Sequence, residues 1–129
     1  MKKKILVTRK LLKENEDKLK ELFDVKLNQN DELYSPEKIL ELSKDCDGIL
    51  SAITDKFDDN LINKLSPSVK IIANFAVGFG NIDIQAAKKK NIIVTNTPEV
   101  LDDATADITI LLLLGASRKV LEARRAAEK

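Results

Sequence analysis

The sequence predicts a doubly wound α/β domain in which five parallel strands are covered by helices on both faces. Three observations lead there. Short apolar runs alternate strictly with amphipathic stretches, the runs are too short and too continuously apolar to be half-exposed strands, and several end at Gly, Pro or Asn before a helix restarts. Strands without a polar face are buried on both sides, as parallel strands between helical layers are.

The elements follow in order. Met1-Lys2-Lys3-Lys4 has the basic character of a signal-peptide start, but only Ile5-Leu6-Val7 follows before Thr8-Arg9-Lys10, so the run is a first strand. Leu11, Leu12, Leu19, Leu22 and Phe23 recur at helical spacing, and Val25-Lys26-Leu27 is a second strand. Ser35-Pro36 reads as an N-cap followed by Pro at the first helical position, with Ile39, Leu40 and Leu42 as the buried face. Gly48 to Ile53 is the third strand. Asp58-Asp59 opens a short helix through Leu61, Ile62 and Leu65 that Ser66-Pro67 ends. The fourth strand is Lys70 to Ala73, the next helix runs from Asp83 to Lys90 with Ile84, Ala86 and Ala87 inward, and the fifth strand is Ile92-Ile93-Val94. Right-handed crossovers then make the flavodoxin-like order 2-1-3-4-5 the natural arrangement.

From Asp102 a helix can run unbroken to about Glu128, roughly 40 Å at about 1.5 Å per residue. Ile108, Leu111, Leu112 and Gly115 form one apolar stripe on it, and Ile110, Leu113, Leu114 and Ser117 form another. One stripe suffices for a surface helix, so the second implies a further partner, another domain or a second copy. The expected organisation is a flavodoxin-like domain over 1–101, a long helix over 102–129, and a homodimer through the Asp102–Glu128 helix.

Composition limits the function. A chain of 129 residues buries roughly two-thirds of its unfolded surface, enough for a real core. With 22 basic against 21 acidic side chains, no net field favours nucleic acid or an anionic membrane. The uncharged apolar stretch Ile108 to Ala116 is far short of the roughly 20 residues that span a bilayer. The single cysteine, Cys46, precludes an internal disulfide and a cysteine metal cluster, which suits a reducing cytoplasm, and no metal site is expected.

Ligands of open α/β sheets gather beyond the carboxyl ends of the strands. Here those ends are Thr8-Arg9-Lys10, Ser51 to Lys56, Phe75 to Asn81 and Asn96 to Asp103. Glycines in Val77-Gly78-Phe79-Gly80 let a small carboxylate approach consecutive backbone N–H groups, or simply make a tight turn. The turn is not a dinucleotide fingerprint: Asp83 stands at the third glycine position, and the turn follows the fourth strand, not the first. Thr97-Pro98 ends the last strand, and Asp102-Asp103 caps the helix that follows.

Taken together, Val77 to Asp83, Asn96 to Asp107 and Leu111 to Arg118 resemble the D-isomer-specific 2-hydroxyacid dehydrogenases, nearest to the glyoxylate/hydroxypyruvate reductases. Gly48 to Lys56, with Leu61, Ile62 and Leu65, is similar to the same group, so the resemblance covers essentially the whole chain. It implies a flavodoxin-like substrate domain with a Rossmann domain inserted into it and the active site between them. It implies that the Val77 and Gly78 amides hold the substrate carboxylate, that Ser51, Ala52, Ile53 and Thr54 line the substrate pocket, and that Thr105 faces the nicotinamide side of the cleft. Gly80 stands where relatives often carry Asp or Ser, which should loosen the turn.

The family's glycine-rich loop, catalytic Arg, carboxylate and acid/base His come after the crossover helix, and this sequence contains no histidine at all. The family uses NAD(P), but no cofactor binding, no catalytic residue and no dehydrogenase activity are expected of this chain, and a 2-oxo or 2-hydroxy acid should bind weakly. The alternative is a stand-alone flavodoxin-like interaction module that self-associates. A receiver-like signalling domain would need an acidic cluster where Thr8-Arg9-Lys10 stands, and a flavin module would need a phosphate loop there.

Overall fold

The computed structural model describes residues 2–128. Met1, in the basic start, and Lys129, at the end of the expected terminal helix, lie outside the described residues. The order of elements is β1 (Lys4–Val7), α1 (Lys13–Leu22), β2 (Asp24–Lys26), α2 (Pro36–Ser43), β3 (Gly48–Ala52), α3 (Asp59–Lys64), β4 (Ile71–Phe75), α4 (Ile84–Lys89), β5 (Ile93–Thr95), α5 (Asp102–Ser117) and α6 (Val120–Ala127). The five strands form one parallel sheet in the order β2-β1-β3-β4-β5, as expected. The chain divides into two units, one ending at Thr97 and the other starting at Pro98.

Parallel pairing lays Leu6, Ile49, Ile72 and Val94 side by side in a row across the sheet. That row is the floor of the core. Ile39 of α2, Leu61 and Ile62 of α3, and Ala86 and Ala87 of α4 close over it, together with Phe57, Leu65, Val69, Ile82 and Ile92. Each of these three helices starts from an oxygen placed by sequence: Ser35 Oγ accepts from Lys38 N, Asp58 Oδ1 from Leu61 N and Asp83 Oδ1 from Ala86 N. Such caps each stabilise a helix by about 1 kcal/mol. The end of α4 is a Schellman turn, in which Ile92 N donates to Ala87 O and Asn91 N to Lys88 O while Asn91 takes a left-handed φ of 55°. It swings the chain directly into β5.

The opposite face carries α1. Its Leu19 and Phe23, the residue that follows it, share a cavity of about 440 Å³ with Ile5, Leu50, Ile71 and Ala73 of the sheet. The helix is shorter than its apolar pattern suggests, because Leu12 is the residue before its first turn and stands exposed, as does Leu22. Ile84, expected inward on α4, is also exposed, since Ala86 and Ala87 already meet the core there. Among the described residues no helix is long and apolar enough to cross a membrane.

In the second unit the expected unbroken helix is two helices. Ser117 Oγ turns back to donate to Leu114 O, and Lys119 adopts a left-handed conformation, φ 53° and ψ 44°, that ends α5 before α6 begins. Gly115 and Ser117 are weak helix formers, and a hydroxyl competing for the ladder favours such a stop. Neither apolar stripe is buried: Ile108, Ile110 and Leu111 to Leu114 are all between 49% and 67% exposed.

Gly48 is the one glycine that close packing demands. A Cβ there would lie 2.7 Å from Ile71 Cγ2 and 3.2 Å from Ile5 Cδ1. Gly48→Val should therefore lower stability by about 1 to 3 kcal/mol through overpacking between adjacent strands, measured by urea unfolding with unchanged slope.

Candidate carboxylate-binding site

Beyond the carboxyl ends of β3, β4 and β5 the backbone is organised by asparagines. Asn74, buried on β4, and Asn81 face each other as a reciprocal amide pair, Asn74 Nδ2 donating to Asn81 Oδ1 at 3.0 Å and Asn81 Nδ2 to Asn74 Oδ1 at 3.3 Å. Asn81 Nδ2 also donates to the carbonyls of Ala52 and Asp55, so the pair joins the turn after β4 to the turn after β3. The buried Asp55 carboxylate receives the Thr8 hydroxyl at 2.5 Å and the Ala52 N–H at 2.8 Å, which adds the end of β1.

The turn itself has one side occupied. Ala76 O accepts from Thr97 N at 2.9 Å, Val77 O from Asn96 Nδ2 at 2.7 Å and Gly78 O from Asn74 Nδ2 at 3.0 Å. Among the described residues the N–H groups of Val77, Gly78, Phe79 and Gly80 donate to no other group of the chain. Gly78, Phe79 and Gly80 are exposed, and a Cβ on either glycine would meet nothing within 4 Å. Neither glycine has a positive φ. Backbone strain therefore does not select glycine here, and the space beside the Gly78 main chain is open. A side chain at Gly80 would likewise be accommodated.

The expected pocket residues divide. Val77 and Gly78 present the free amides. Ser51 lies within β3, as the strand pattern implies, and is buried with Oγ donating to Asn74 Oδ1 at 3.1 Å, so it braces the amide pair. Ala52 ends the same strand and spends both backbone groups on Asn81 and Asp55. Ile53 is exposed, and Thr54 Oγ1 accepts from Arg9 Nη1 at 2.9 Å. Thr105 is an exposed residue of α5 whose carbonyl accepts from Thr109 Oγ1. The bracing roles of Asn74, Asn81, Asn96 and Asp55 were not legible from spacing, although a polar Asn74 inside an apolar strand was a usable signal, since a buried amide must find partners.

Arg9 makes a two-pronged contact with Asp31, Nε to Oδ1 at 2.8 Å and Nη2 to Oδ2 at 2.9 Å. The described residues do not fit a nicotinamide dinucleotide. The turn after β1, where a phosphate-cradling loop would stand, holds this ion pair and no glycine, and the glycines after β4 lack the matching fingerprint.

The family model for the catalytic domain of D-isomer specific 2-hydroxyacid dehydrogenases matches residues 5–127. The chain belongs to that family. A glyoxylate reductase of Korarchaeum cryptofilum is 40% identical over 125 residues, which are 97% of this chain and 37% of that protein. The structure of a glyoxylate reductase from Paecilomyes thermophila superposes with a TM-score of 0.79 at 30% identity, covering 98% of this chain and 42% of that one. An NADPH-dependent glyoxylate/hydroxypyruvate reductase from Sinorhizobium meliloti, solved with NADP and malonate, matches with a TM-score of 0.71 at 32% identity over 89% of this chain and 34% of that one. The chain thus spans about 37% of the length of that curated relative.

The guanidinium of Arg9, and after it the Lys10 N–H, hold the Asp31 carboxyl well below the usual carboxylate range. A depressed folded-state value means that the stabilisation is complete above the unfolded value of about 3.9 and fades as pH falls toward the folded one. Carboxyl NMR titration should find Asp31 still ionised near pH about 3, and Arg9→Ala should return its midpoint toward about 3.9.

Proposed function

We propose that this chain is the carboxylate-docking part of the substrate domain of an NAD(P)-dependent D-2-hydroxyacid dehydrogenase that reduces a small 2-oxo acid such as glyoxylate or hydroxypyruvate. The observation that carries the reading is the pair of free N–H groups on Val77 and Gly78, on an open surface at the end of β4. Backbone donors in sequence suit a carboxylate, which accepts on two oxygens. That relatives of 40% and 30% identity are glyoxylate reductases, and that a third was solved with a dicarboxylate, supports a small organic acid as the ligand.

On its own the chain is a docking surface without turnover and works in a reducing cytoplasm. It has no histidine to give the proton that carbonyl reduction consumes, and its described residues do not fit the hydride donor. Glyoxylate should bind in the millimolar range, about 4 kcal/mol. Amide shifts on titration should be confined to Ala76 through Ile82, and NADH or NADPH absorbance should not change in the presence of glyoxylate. Scattered shifts, or oxidation of either nucleotide above a protein-free control, would refute the respective half of this reading.

A second reading rests on a different observation, the six large apolar side chains of α5 left in solvent. Through them the chain is a self-associating module, with each side chain contributing roughly 1.5 to 3 kcal/mol on full burial. Light scattering should find a dimer at micromolar concentration, and Ile110→Lys with Leu114→Glu should split it while circular dichroism is unchanged.

A further inference from the structure

The direction of the two candidate donor amides is set from one place. A trans peptide is planar, so the N–H of each residue points opposite to the carbonyl before it. The carbonyl before Val77 N is Ala76 O, held by Thr97 N, and the carbonyl before Gly78 N is Val77 O, held by Asn96 Nδ2. Two consecutive residues after β5 therefore fix two consecutive amides after β4. The first tie is main chain and exists whatever the side chain at Thr97. The second depends on Asn96 alone. A carbonyl can only accept, so the Asn96 amide must present its nitrogen to Val77, and at 2.7 Å this is among the shorter side-chain contacts to a carbonyl in the chain. Asn74 Nδ2, through Gly78 O, steadies the peptide that follows, and Asn74 is itself fixed by Ser51 and Asn81.

Resting on the carboxylate site proposed above, we infer that Asn96 is a positioning residue: it touches no ligand, and it turns the Gly78 N–H outward by holding Val77 O from behind. With Asn96 in place the turn meets a carboxylate with both donors already aimed, so no peptide rotation opposes binding. Without it, the 77–78 peptide is free to rotate and Val77 N–H alone remains directed.

The test uses the whole chain, labelled with nitrogen-15, as wild type, Asn96→Asp and Asn96→Ala. Asn96→Asp keeps the size of the side chain and replaces the donor by an oxygen that repels Val77 O. Residual dipolar couplings read the direction of the Gly78 N–H bond, and titration with sodium glyoxylate and with sodium acetate reads affinity residue by residue. The expected result is that in both variants the Gly78 bond turns while that of Val77 does not, and that carboxylate affinity falls about tenfold, the scale of one lost hydrogen bond to a charged group. An unchanged Gly78 direction, or unchanged affinity with a turned bond, would overturn the assignment. So would loss of the dispersed folded spectrum in both variants, which would make Asn96 a residue of the fold alone. A wild type that binds neither carboxylate would instead remove the site itself, and the inference with it; the two failures are separate because they occur in different proteins.

Discussion

The reciprocal amide pair between Asn74 and Asn81 governs the working end of this domain. Each side chain is wedged between strand ends that would otherwise leave carbonyls facing the interior, and buried carbonyls without partners cost about 1 to 3 kcal/mol each. By donating to Ala52 O, Asp55 O and Gly78 O, two residues fasten the loops after β3 and β4 to each other. Ser51 and the Thr8 to Asp55 contact extend the same fastening to β1. A surface that must hold two backbone donors in one orientation needs this kind of support, because backbone amides have no side-chain rotamers to lock.

The two faces of the sheet show how differently one fold can be finished. On one, α2, α3 and α4 seal the row from Leu6 to Val94 into a continuous core. On the other, α1 packs beside β2 and shares an open cavity with the sheet, and Phe75 and Ile93 remain exposed. The second unit is finished least of all, since α5 is as apolar as a core helix and buries nothing. Stability is accordingly concentrated in the α2 to α4 layer, and local opening belongs to the elements with the fewest buried contacts.

Much of this was readable from the amino acids. Strand number, order and parallel sense follow from short apolar runs separated by helices, and the caps at Ser35, Asp58 and Asp83 follow from side chains whose partners lie three residues away. Local chemistry of that sort is written in spacing. The asparagine network is not, because Asn74 and Asn81 meet partners more than twenty residues away along the chain. The break at Lys119 left only a faint trace in the weak helix formers Gly115 and Ser117, because what ends the helix is the Ser117 hydroxyl together with a left-handed turn at Lys119. The run Gly48 to Ile53 reads as a strand, and Ser51 and Ala52 do continue the sheet by pairing with Asn74 and Phe75, with the strand ending one residue short of Ile53.

The shortness of β5 has a bearing on how the protein behaves in concentrated solution. As one of the two outermost strands it leaves one row of main-chain groups without a neighbour, and Ile93 on it is 62% exposed. An unguarded edge of that kind is a template on which foreign strands grow. Here the template is only three residues long, since the Schellman turn delivers the chain at Ile92 and Thr97 already spends its N–H on Ala76. Lys88 and Lys89 precede it in the chain with positive charge, and Pro98, without an N–H, follows. A would-be recruit finds too few rungs to climb, so this edge of the sheet is kept from seeding fibres by its brevity.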